Sequence, residues 1–294
     1  MTARVPVSGF TFVRNAVTLD FPLVPSLHSL LPGCDEVVVA VGRSDDTTLD
    51  LVRSIGDPRI RIIETEWDLT RGRAVLADQT DIALRACRHP WGIYIQADEV
   101  FADGAAERLR DLIQEVDGDP RVEGLLVDYL HFYGGFGTVA TNRKMYRREV
   151  RAVRTAPALG IHSFRDAQGF RVGPDDRKIR ARHAGVTIHH YGWARAAEGV
   201  KAKRAAHAEF FQWDEKTRQD RLTSHVLPWA PGLHPYSRPH PAPVAAWVAE
   251  RSGDGTAEVG PYHFRREWVS FYASMLVERL TGWRPLEFRN YTRV

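Results

Sequence analysis

The sequence predicts an α/β fold with a mostly parallel sheet. Strand-like and helix-like segments alternate through the first half of the chain, which is typical of parallel strands joined by crossover helices. A second indication comes from residues 91–100, where an apolar run of strand type ends at two adjacent carboxylates, Asp98 and Glu99. Open α/β sheets bind ligands beyond the carboxyl ends of their strands, so these two side chains are expected at a ligand site. A helix N-cap, which also favours acidic residues, is an equally open alternative.

The elements follow in a regular order. Runs rich in Val, Ile and aromatic residues predict strands at residues 7–13, 36–41 and 59–64, from residue 91 onward, and at 124–133 and 187–191. Helical spacing predicts helices at residues 23–31, 48–55, 74–87, 105–116, 194–211 and 264–280. Pro32-Gly33 should end the first helix, Gly282 the last one, and residues 134–137 should form a hairpin turn. The apolar stripe of the last helix, which includes Trp268 and Leu276, is expected to pack into the core.

Composition limits the classes of protein that fit. The 294 residues are 44% hydrophobic and 26% charged, which is ordinary for a globular protein of one large domain or one domain with an extension. A net charge of +3 does not indicate a nucleic-acid partner. Two cysteines are too few for a disulfide framework or a thiolate zinc site, and no apolar run reaches eighteen residues. A cytoplasmic location is expected, with peripheral contact to the inner face of the membrane as an alternative.

Basic residues concentrate in one stretch of the chain. Only Glu149 opposes them there, so the stretch could attract phosphates or an anionic membrane surface, and a solvated basic face explains it equally well. The six residues are Arg143, Lys144, Arg147, Arg148, Arg151 and Arg154.

Three motifs lie at the ends of predicted strands. They are the strand end Phe10–Asn15, the loop Gly42–Thr47, and the segment Gln96–Glu99. Their order and spacing resemble those of the nucleotide-sugar glycosyltransferases of GT-A type, bacterial family 2 group. That family has a first strand ending in Arg-Asn, a Gly-Ser-x-Asp-Gly-Thr loop, and an Asp-x-Asp metal motif. The resemblance implies a GT-A catalytic domain at residues 1–193, followed by a helical, Pro- and His-rich extension at 194–294 on the acceptor side.

The resemblance also implies a divalent cation, Mn²⁺ or Mg²⁺, that neutralises the leaving diphosphate. Asp98, with Glu99, would hold this ion, and His190 in the segment 189–193 looks like the late histidine of the family's metal site. An imidazole ligand favours Mn²⁺. Gln96 departs from the family pattern, since it removes one acidic ligand. A packed histidine is the alternative for His190.

The base that deprotonates the acceptor hydroxyl is less defined. The segment 161–163 resembles a Val-His-Glu element, but Ser163 stands where the family often has its glutamate. Asp166 and His162 are therefore the candidates, and a structural role is equally open for each.

Five residues are expected to bind the nucleotide part of the donor. They follow the first two strands or start the third long helix, and are Thr11, Arg14, Asp45, Asp46 and Arg73. Loop capping is the alternative for the acidic and hydroxyl residues, and solvent exposure for Arg73.

The family resemblance predicts transfer of a sugar, with inversion, from a UDP-, GDP- or dTDP-linked donor. The acceptor would be a glycan, lipid-linked or small-molecule hydroxyl, selected by residues 225–240. A non-catalytic relative that binds a sugar or a partner protein is the second interpretation.

Overall fold

The computed structural model describes residues 4–210, 226–253 and 256–294. The helices in these residues are α1 (Leu23–Leu30), α2 (Thr48–Ser54), α3 (Ala74–Arg85), α4 (Ala105–Val116), α5 (Ala197–Phe210), α6 (Ala242–Arg251) and α7 (Trp268–Thr281). The strands are β1 (Val7–Val13), β2 (Glu36–Gly42), β3 (Ile60–Thr65), β4 (Trp91–Tyr94), β5 (Glu99–Phe101), β6 (Gly124–Ala140), β7 (Arg148–Arg154), β8 (Ile161–Phe164), β9 (Gly169–Val172), β10 (Arg177–Ala194), β11 (Leu233–Pro235) and β12 (Tyr291–Arg293). Short 3₁₀ turns cover Leu31–Gly33, Leu69–Arg71 and Pro157–Leu159.

One sheet organises these elements in the order β3-β2-β1-β4-β7-β6-β10-β9-β8. The first four strands of this order are parallel, and β7 runs antiparallel to both β4 and β6. Strand β5, which follows β4 along the chain, turns aside and pairs antiparallel with β10. The carboxyl ends of β1, β2 and β4 therefore share one edge of the sheet, and β10 reaches the same edge.

Helices cover both faces of the sheet. Alternate residues of β2 enter two separate cores, because side chains of a strand point to opposite faces. Val37 and Val39 pack in a core shared with α1, α2 and α4, whereas Val38 and Ala40 pack with Ala83 of α3. The predicted α/β fold class is confirmed. Strands β3, β2, β1 and β4 are all parallel, whereas the rest of the sheet mixes parallel and antiparallel pairs.

The main difference from the predicted elements concerns the glycines at 134–137. The predicted hairpin turn is wrong, because β6 continues through these glycines to Ala140. Gly134 has a φ of +80°, and a Cβ there would lie 2.5 Å from Cγ2 of Val259. The glycine lets the segment around Val259 pass closely over a continuing strand, a use that resembles a turn in the sequence.

The C-terminal part packs on the sheet and adds strands to it. Strand β11 pairs with β6, and β12 pairs with β10. The guanidinium of Arg284 donates to the carbonyl oxygens of Thr141 and Met145, at 2.8 Å each. Residues 211–225 lie outside the described residues, so the predicted helix end at 211 and residue 225 of the predicted acceptor segment are not described.

Helix α7 is only partly buried in the core. Trp268 and Phe271 are buried as predicted, but the prediction is wrong for Leu276, which is 58% exposed. Leu280 is 75% exposed.

The basic stretch does not form one surface. Arg147 pairs with Glu278 and Glu287, Arg148 with Asp128, and Arg151 is fully buried. Because internal partners hold these three side chains, they do not contribute to a continuous basic patch.

Among the described residues, no helix combines the length and the apolar content needed to cross a bilayer.

Candidate active site

A cleft of about 690 Å³ opens where the strands end. Five of the predicted site residues line it, and they come from five separate parts of the chain. These are Arg14, Asp45, Asp98, Asp166 and His190. The topology brings them together, because β1, β2 and β4 end at one edge and the β5–β10 pairing places His190 opposite Glu99, the neighbour of Asp98.

The loops after β1 and β2 are locked to each other. The Asn15 side chain accepts from the Asp45 backbone N–H at 2.9 Å and donates to the Asp45 carboxylate at 3.2 Å. Arg14 pairs with the same carboxylate at 3.4 Å and donates to the carbonyl of Arg43 at 3.0 Å. Since the Asp45 side chain is 80% exposed, its carboxylate is still available to a ligand in the cleft.

An aromatic surface lies beside these loops. Trp67 and Phe12 line the cleft with ring centroids 5.7 Å apart, and the Arg14 guanidinium lies 6.0 Å from the Trp67 ring. Rings of this kind stack on nucleobases, which all have an apolar face.

Asp98 is surrounded by nitrogen atoms. Its Oδ2 lies 2.8 Å from Nζ of Lys203, 3.6 Å from Nη2 of Arg195 and 3.7 Å from Nε2 of His190. The loop between β4 and β5 carries Asp98, the end of β10 carries His190 and Arg195 follows that strand, whereas Lys203 comes from α5. The Asp98 backbone carbonyl also accepts from Tyr191 N–H at 2.8 Å, which fixes the loop against β10.

A chain of imidazoles sets the tautomer of His190. Nε2 of His131 donates to the carbonyl of Tyr146 at 2.7 Å, so Nδ1 of neutral His131 accepts from Nδ1 of His190 at 2.8 Å. Burial lowers the pKa of His131 to about 3, which keeps that ring neutral. Nδ1 of His190 therefore carries a hydrogen, and its Nε2 lies on the Asp98 side of the ring, 3.7 Å from Oδ2.

Opposing effects set the charges of the central pair. Burial acts to raise the pKa of Asp98, but Lys203, followed by His190 and Arg195, holds it well below its usual range. Burial lowers the pKa of Lys203 to about 8, although Asp98 opposes that effect. At neutral pH the carboxylate and the ammonium are both charged, and Arg195 adds a second positive charge.

These residues do not fit a divalent ion in the observed arrangement. An ion on Oδ2 of Asp98 would lie about 4 Å from the Lys203 ammonium, a repulsion of roughly 8 kcal/mol at an effective dielectric constant near 20. Residues 4–210, 226–253 and 256–294 contain no group of three or more His, Cys, Asp or Glu side chains placed to hold a metal ion. The position expected for the metal charge is taken by Lys203.

Glu99 does not reach the cleft, although the sequence predicted it as a metal ligand. Its side chain and that of Arg151 are both 0% exposed and form an ion pair, with Oε1 2.8 Å from Nη2. Tyr129 donates to Oε1 at 2.9 Å, and the Gln96 backbone N–H donates to Oε2 at 3.1 Å. Both carboxylate oxygens are therefore engaged inside the protein, where they brace the loop that carries Asp98.

Two of the residues predicted to bind the nucleotide-sugar donor, Thr11 and Asp46, do not line the cleft. Thr11 is 1% exposed within β1, outside the cleft, because the strand points it into the interior. Asp46 accepts from the backbone N–H groups of Thr18 at 2.8 Å and Thr48 at 2.9 Å, so its carboxylate ties the loop after β1 to the start of α2. Burial opposes ionisation of Asp46, but these hydrogen bonds lower its pKa.

The two base candidates lie in different places. Asp166 lines the cleft in the turn between β8 and β9, with an Arg73 guanidinium nitrogen 3.9 Å from its Oδ2. His162 lies on β8 outside the cleft, since Nε2 contacts Asp176 at 2.8 Å and Nδ1 the carbonyl of Gly160 at 3.1 Å. Both ring nitrogens of His162 face acceptors, and of the two candidates only Asp166 lines the cleft.

The side-chain amide of Gln96 has a structural role. Its Nε2 donates to the carbonyl of Ala167 at 3.1 Å and to the Tyr94 hydroxyl at 3.2 Å. The amide thereby ties the turn that carries Asp166 to the end of β4. A carboxylate at position 96 has no proton to donate to that carbonyl.

Sequence reasoning missed Lys203, Arg195 and Trp67. Lys203 is one of several basic residues on a helix whose pattern gave no sign of a buried cation. Gly192, in the segment 189–193, was a better indication that two side chains pack closely at this point. A Cβ at this position would lie 2.5 Å from Nε2 of His190 and 3.3 Å from Nζ of Lys203, so only glycine leaves room for both side chains.

Known proteins give a limited comparison. No family model matches the chain. The lipopolysaccharide core biosynthesis glycosyltransferase LpsC of Rhizobium meliloti (strain 1021) is 30% identical over 156 residues, which cover 52% of this chain and 53% of that protein. The chain thus matches about half the length of this curated relative.

Two solved structures resemble parts of the chain. S. aureus TarS 1-349 in complex with UDP-GlcNAc is 13% identical, with 74% of this chain and 70% of that chain covered and a TM-score of 0.44. Glucosyl-3-phosphoglycerate synthase from Mycobacterium tuberculosis, in complex with Mn²⁺, UDP and phosphoglyceric acid, is 15% identical, with 43% of each chain covered and a TM-score of 0.30. Both scores are below 0.5, so neither structure bears on the chemistry of this chain. The sequence match with LpsC confirms the resemblance that the motifs predicted: over about half its length, the chain is similar to a glycosyltransferase.

Proposed function

We propose that this protein is a glycosyltransferase that moves a sugar from a nucleoside diphosphate to an acceptor hydroxyl in the synthesis of a glycan. The observation that carries the proposal is the meeting of three motifs in one cleft. Arg14 and Asp45 stand at one part of the cleft, and Asp98, His190 and Asp166 line the same space. The similarity to a lipopolysaccharide core glycosyltransferase supports the same activity.

The lining of the cleft suggests one orientation for the donor. Its base and ribose would lie against Trp67 and the exposed carboxylate of Asp45, which can accept from hydroxyl or N–H groups. The diphosphate would then reach the positive charges around Asp98. These contacts do not separate UDP-, GDP- and dTDP-linked donors.

The reaction requires a base for the acceptor hydroxyl. Asp166 is proposed for this step, since it lines the cleft and belongs to a turn separate from the loop that carries Asp98. With a single base and no covalent intermediate, the acceptor oxygen attacks opposite the leaving diphosphate, and the anomeric centre inverts. The anomeric configuration of the product, measured by NMR, tests this part.

An apolar surface favours a lipid-linked acceptor over a free glycan or a small molecule. Val269, Tyr272, Leu276 and Leu280 follow one another at helical spacing along α7 and are all exposed. Phe288, a short distance further along the chain, is 52% exposed and lines the cleft. A surface of this kind could hold the protein at a membrane and bring a lipid carrier to residues 194–294.

The test compares donors by thermal shift and then by turnover. A nucleotide sugar at 100 times its Kd should stabilise the folded protein by about 2.7 kcal/mol. Asp45→Ala should reduce that shift for the cognate donor. With an extract of lipid-linked acceptors, release of nucleoside diphosphate should be detected, and Asp166→Asn should lower kcat far more than donor affinity.

A non-catalytic sugar-binding protein would give a different result. It would show the thermal shift but no release of nucleoside diphosphate with any acceptor, and Asp166→Asn would change nothing. Absence of a shift with all three donor classes would remove the proposal itself.

A further inference from the structure

The ammonium group of Lys203 is held at a defined position in the wall of the cleft. Its ammonium lies 2.8 Å from Oδ2 of Asp98 and donates to the carbonyl of Gly192, also at 2.8 Å. The ammonium lies 5.2 Å from the centre of the Trp193 ring and 5.7 Å from that of Phe21. Two oxygens and two aromatic faces therefore surround one charge, as expected for a side chain held at a fixed position.

The surroundings of this ammonium carry excess positive charge. Within residues 4–210, 226–253 and 256–294, Asp98 is the carboxylate that pairs with Lys203, and the buried guanidinium of Arg195 lies 3.6 Å from the same oxygen. Asp20 also acts on Arg195 but is itself paired with Arg251 at 2.7 Å, so these three cations and two carboxylates leave a net charge of +1. An anion in the cleft would meet this charge in a partly water-excluded place, where the attraction is stronger than in water.

The cleft leaves room beside Lys203. Ala202, Ala205 and Ala206 of α5 line the same wall, so small side chains flank the ammonium. A lysine ammonium is a common ligand of phosphate groups, since it is a compact charge with three donors.

We propose that Lys203 takes the place of the divalent cation and binds the donor diphosphate itself, with Arg195 as a positioning residue. This inference rests on the proposed glycosyltransferase function. In the transfer step, the bond between the anomeric carbon and the β-phosphate oxygen breaks, and its electron pair leaves with the nucleoside diphosphate. A bond forms between the acceptor oxygen and the anomeric carbon, and the hydroxyl proton goes to Asp166. Lys203 neutralises the negative charge that develops on the departing phosphate.

The first experiment measures the metal requirement of the wild-type chain. Binding of UDP, GDP and dTDP is followed by calorimetry, and transfer by release of the nucleoside diphosphate, in EDTA and in millimolar Mn²⁺ or Mg²⁺. Equal affinity and turnover in EDTA are expected. Loss of both in EDTA, with recovery on addition of metal, would overturn the inference while supporting the proposed function.

The second experiment changes the cation. Lys203→Met keeps the length of the side chain and removes its charge, so diphosphate affinity should fall roughly 10- to 100-fold. Lys203→Arg should retain more affinity than Lys203→Met. Lys201→Met is the matched control, because Lys201 lies on the same helix and pairs with Glu198 at 2.6 Å outside the cleft. Its affinity should equal that of the wild type.

A gain of metal dependence would be the clearest signature. Without the ammonium, Asp98 and His190 face a free position, so Mn²⁺ should restore part of the affinity of Lys203→Met but leave the wild type unchanged. Lys203→Gln serves as the neutral variant if Lys203→Met does not fold. Wild-type affinity in a folded neutral variant would overturn the role of Lys203. Failure of the wild type to bind any nucleotide, with and without metal, would refute the proposed function instead.

Discussion

Replacement of Glu99 by glutamine tests whether this carboxylate stabilises the fold or binds a ligand. Glu99 and Arg151 are buried completely, and four hydrogen bonds reach the carboxylate from Arg151, Tyr129 and the Gln96 backbone. Glu99→Gln keeps the shape but leaves the guanidinium without its counter-charge. Removal of one partner of a buried ion pair costs about 3 to 5 kcal/mol. At roughly 2 °C per kcal/mol for a chain of this size, Tm should fall by about 6 to 10 °C.

The assay is urea and thermal unfolding, followed by circular dichroism, together with nucleotide binding at a temperature where the variant is folded. Glu198→Gln is the control, since that glutamate also pairs with a basic residue but its side chain is 82% exposed. Its stability should change by less than about 0.5 kcal/mol. The double variant Glu99→Gln with Arg151→Met should recover part of the loss, because it removes the unpaired charge.

A different outcome would refute this reasoning. If Glu99→Gln melted within 2 °C of the wild type by the scale used above and bound nucleotide at least tenfold more weakly, the carboxylate would act on the ligand. That result would restore Glu99 to the role that the sequence predicted. A loss of stability with unchanged affinity supports the buried ion pair.

Three further predictions concern pH, the donor and the membrane. Burial raises the pKa of Glu149 from 4.5 to about 7. Between these two pH values the folded state therefore holds a proton that the unfolded state has released. The free energy of unfolding should fall by about 3 kcal/mol as the pH rises through this window. Glu149→Gln should abolish that slope in urea melts, and an unchanged slope would assign it to other groups. Trp67→Ala should weaken nucleotide binding by roughly 1 to 3 kcal/mol if the ring stacks on the base, as calorimetry can measure. Leu276→Ser with Leu280→Ser should reduce flotation with liposomes that contain anionic lipid; equal flotation would exclude α7 as the membrane contact.

The first half of the fold followed from local patterns. The predicted strand 7–13 and the predicted helix 105–116 match β1 and α4 to the residue. An apolar strand between polar loops and an amphipathic helix can each be recognised from a short stretch of neighbouring residues. Strand β6 was cut short in the prediction, since glycine serves both in turns and where another segment passes close to a strand. That distinction depends on Val259, more than a hundred residues away.

The candidate site was predictable where it depends on strand ends and not where it depends on distant pairing. Asp98 and Asp45 follow predicted strands, so parallel topology alone brings their loops to one edge. Glu99 is next to Asp98 in sequence, but it starts β5 and points to Arg151, a residue of β7. Adjacent side chains on a strand point to opposite faces, and only the start of β5 at Glu99 decides which carboxylate enters the cleft.

Gln96 and Lys203 make one consistent arrangement. An acidic residue at position 96 would add a charge near Asp98 and lose the hydrogen bond to the Ala167 carbonyl, which holds the turn of Asp166. With an amide there, Lys203 pairs with Asp98 alone among the described residues, and position 96 adds no second carboxylate to offset the charges of Lys203 and Arg195. Gln96→Asp should therefore release the Asp166 turn and lower kcat without creating a metal requirement, because Lys203 still occupies the position of the ion. Metal-stimulated turnover in that variant would show instead that a second carboxylate can displace the ammonium.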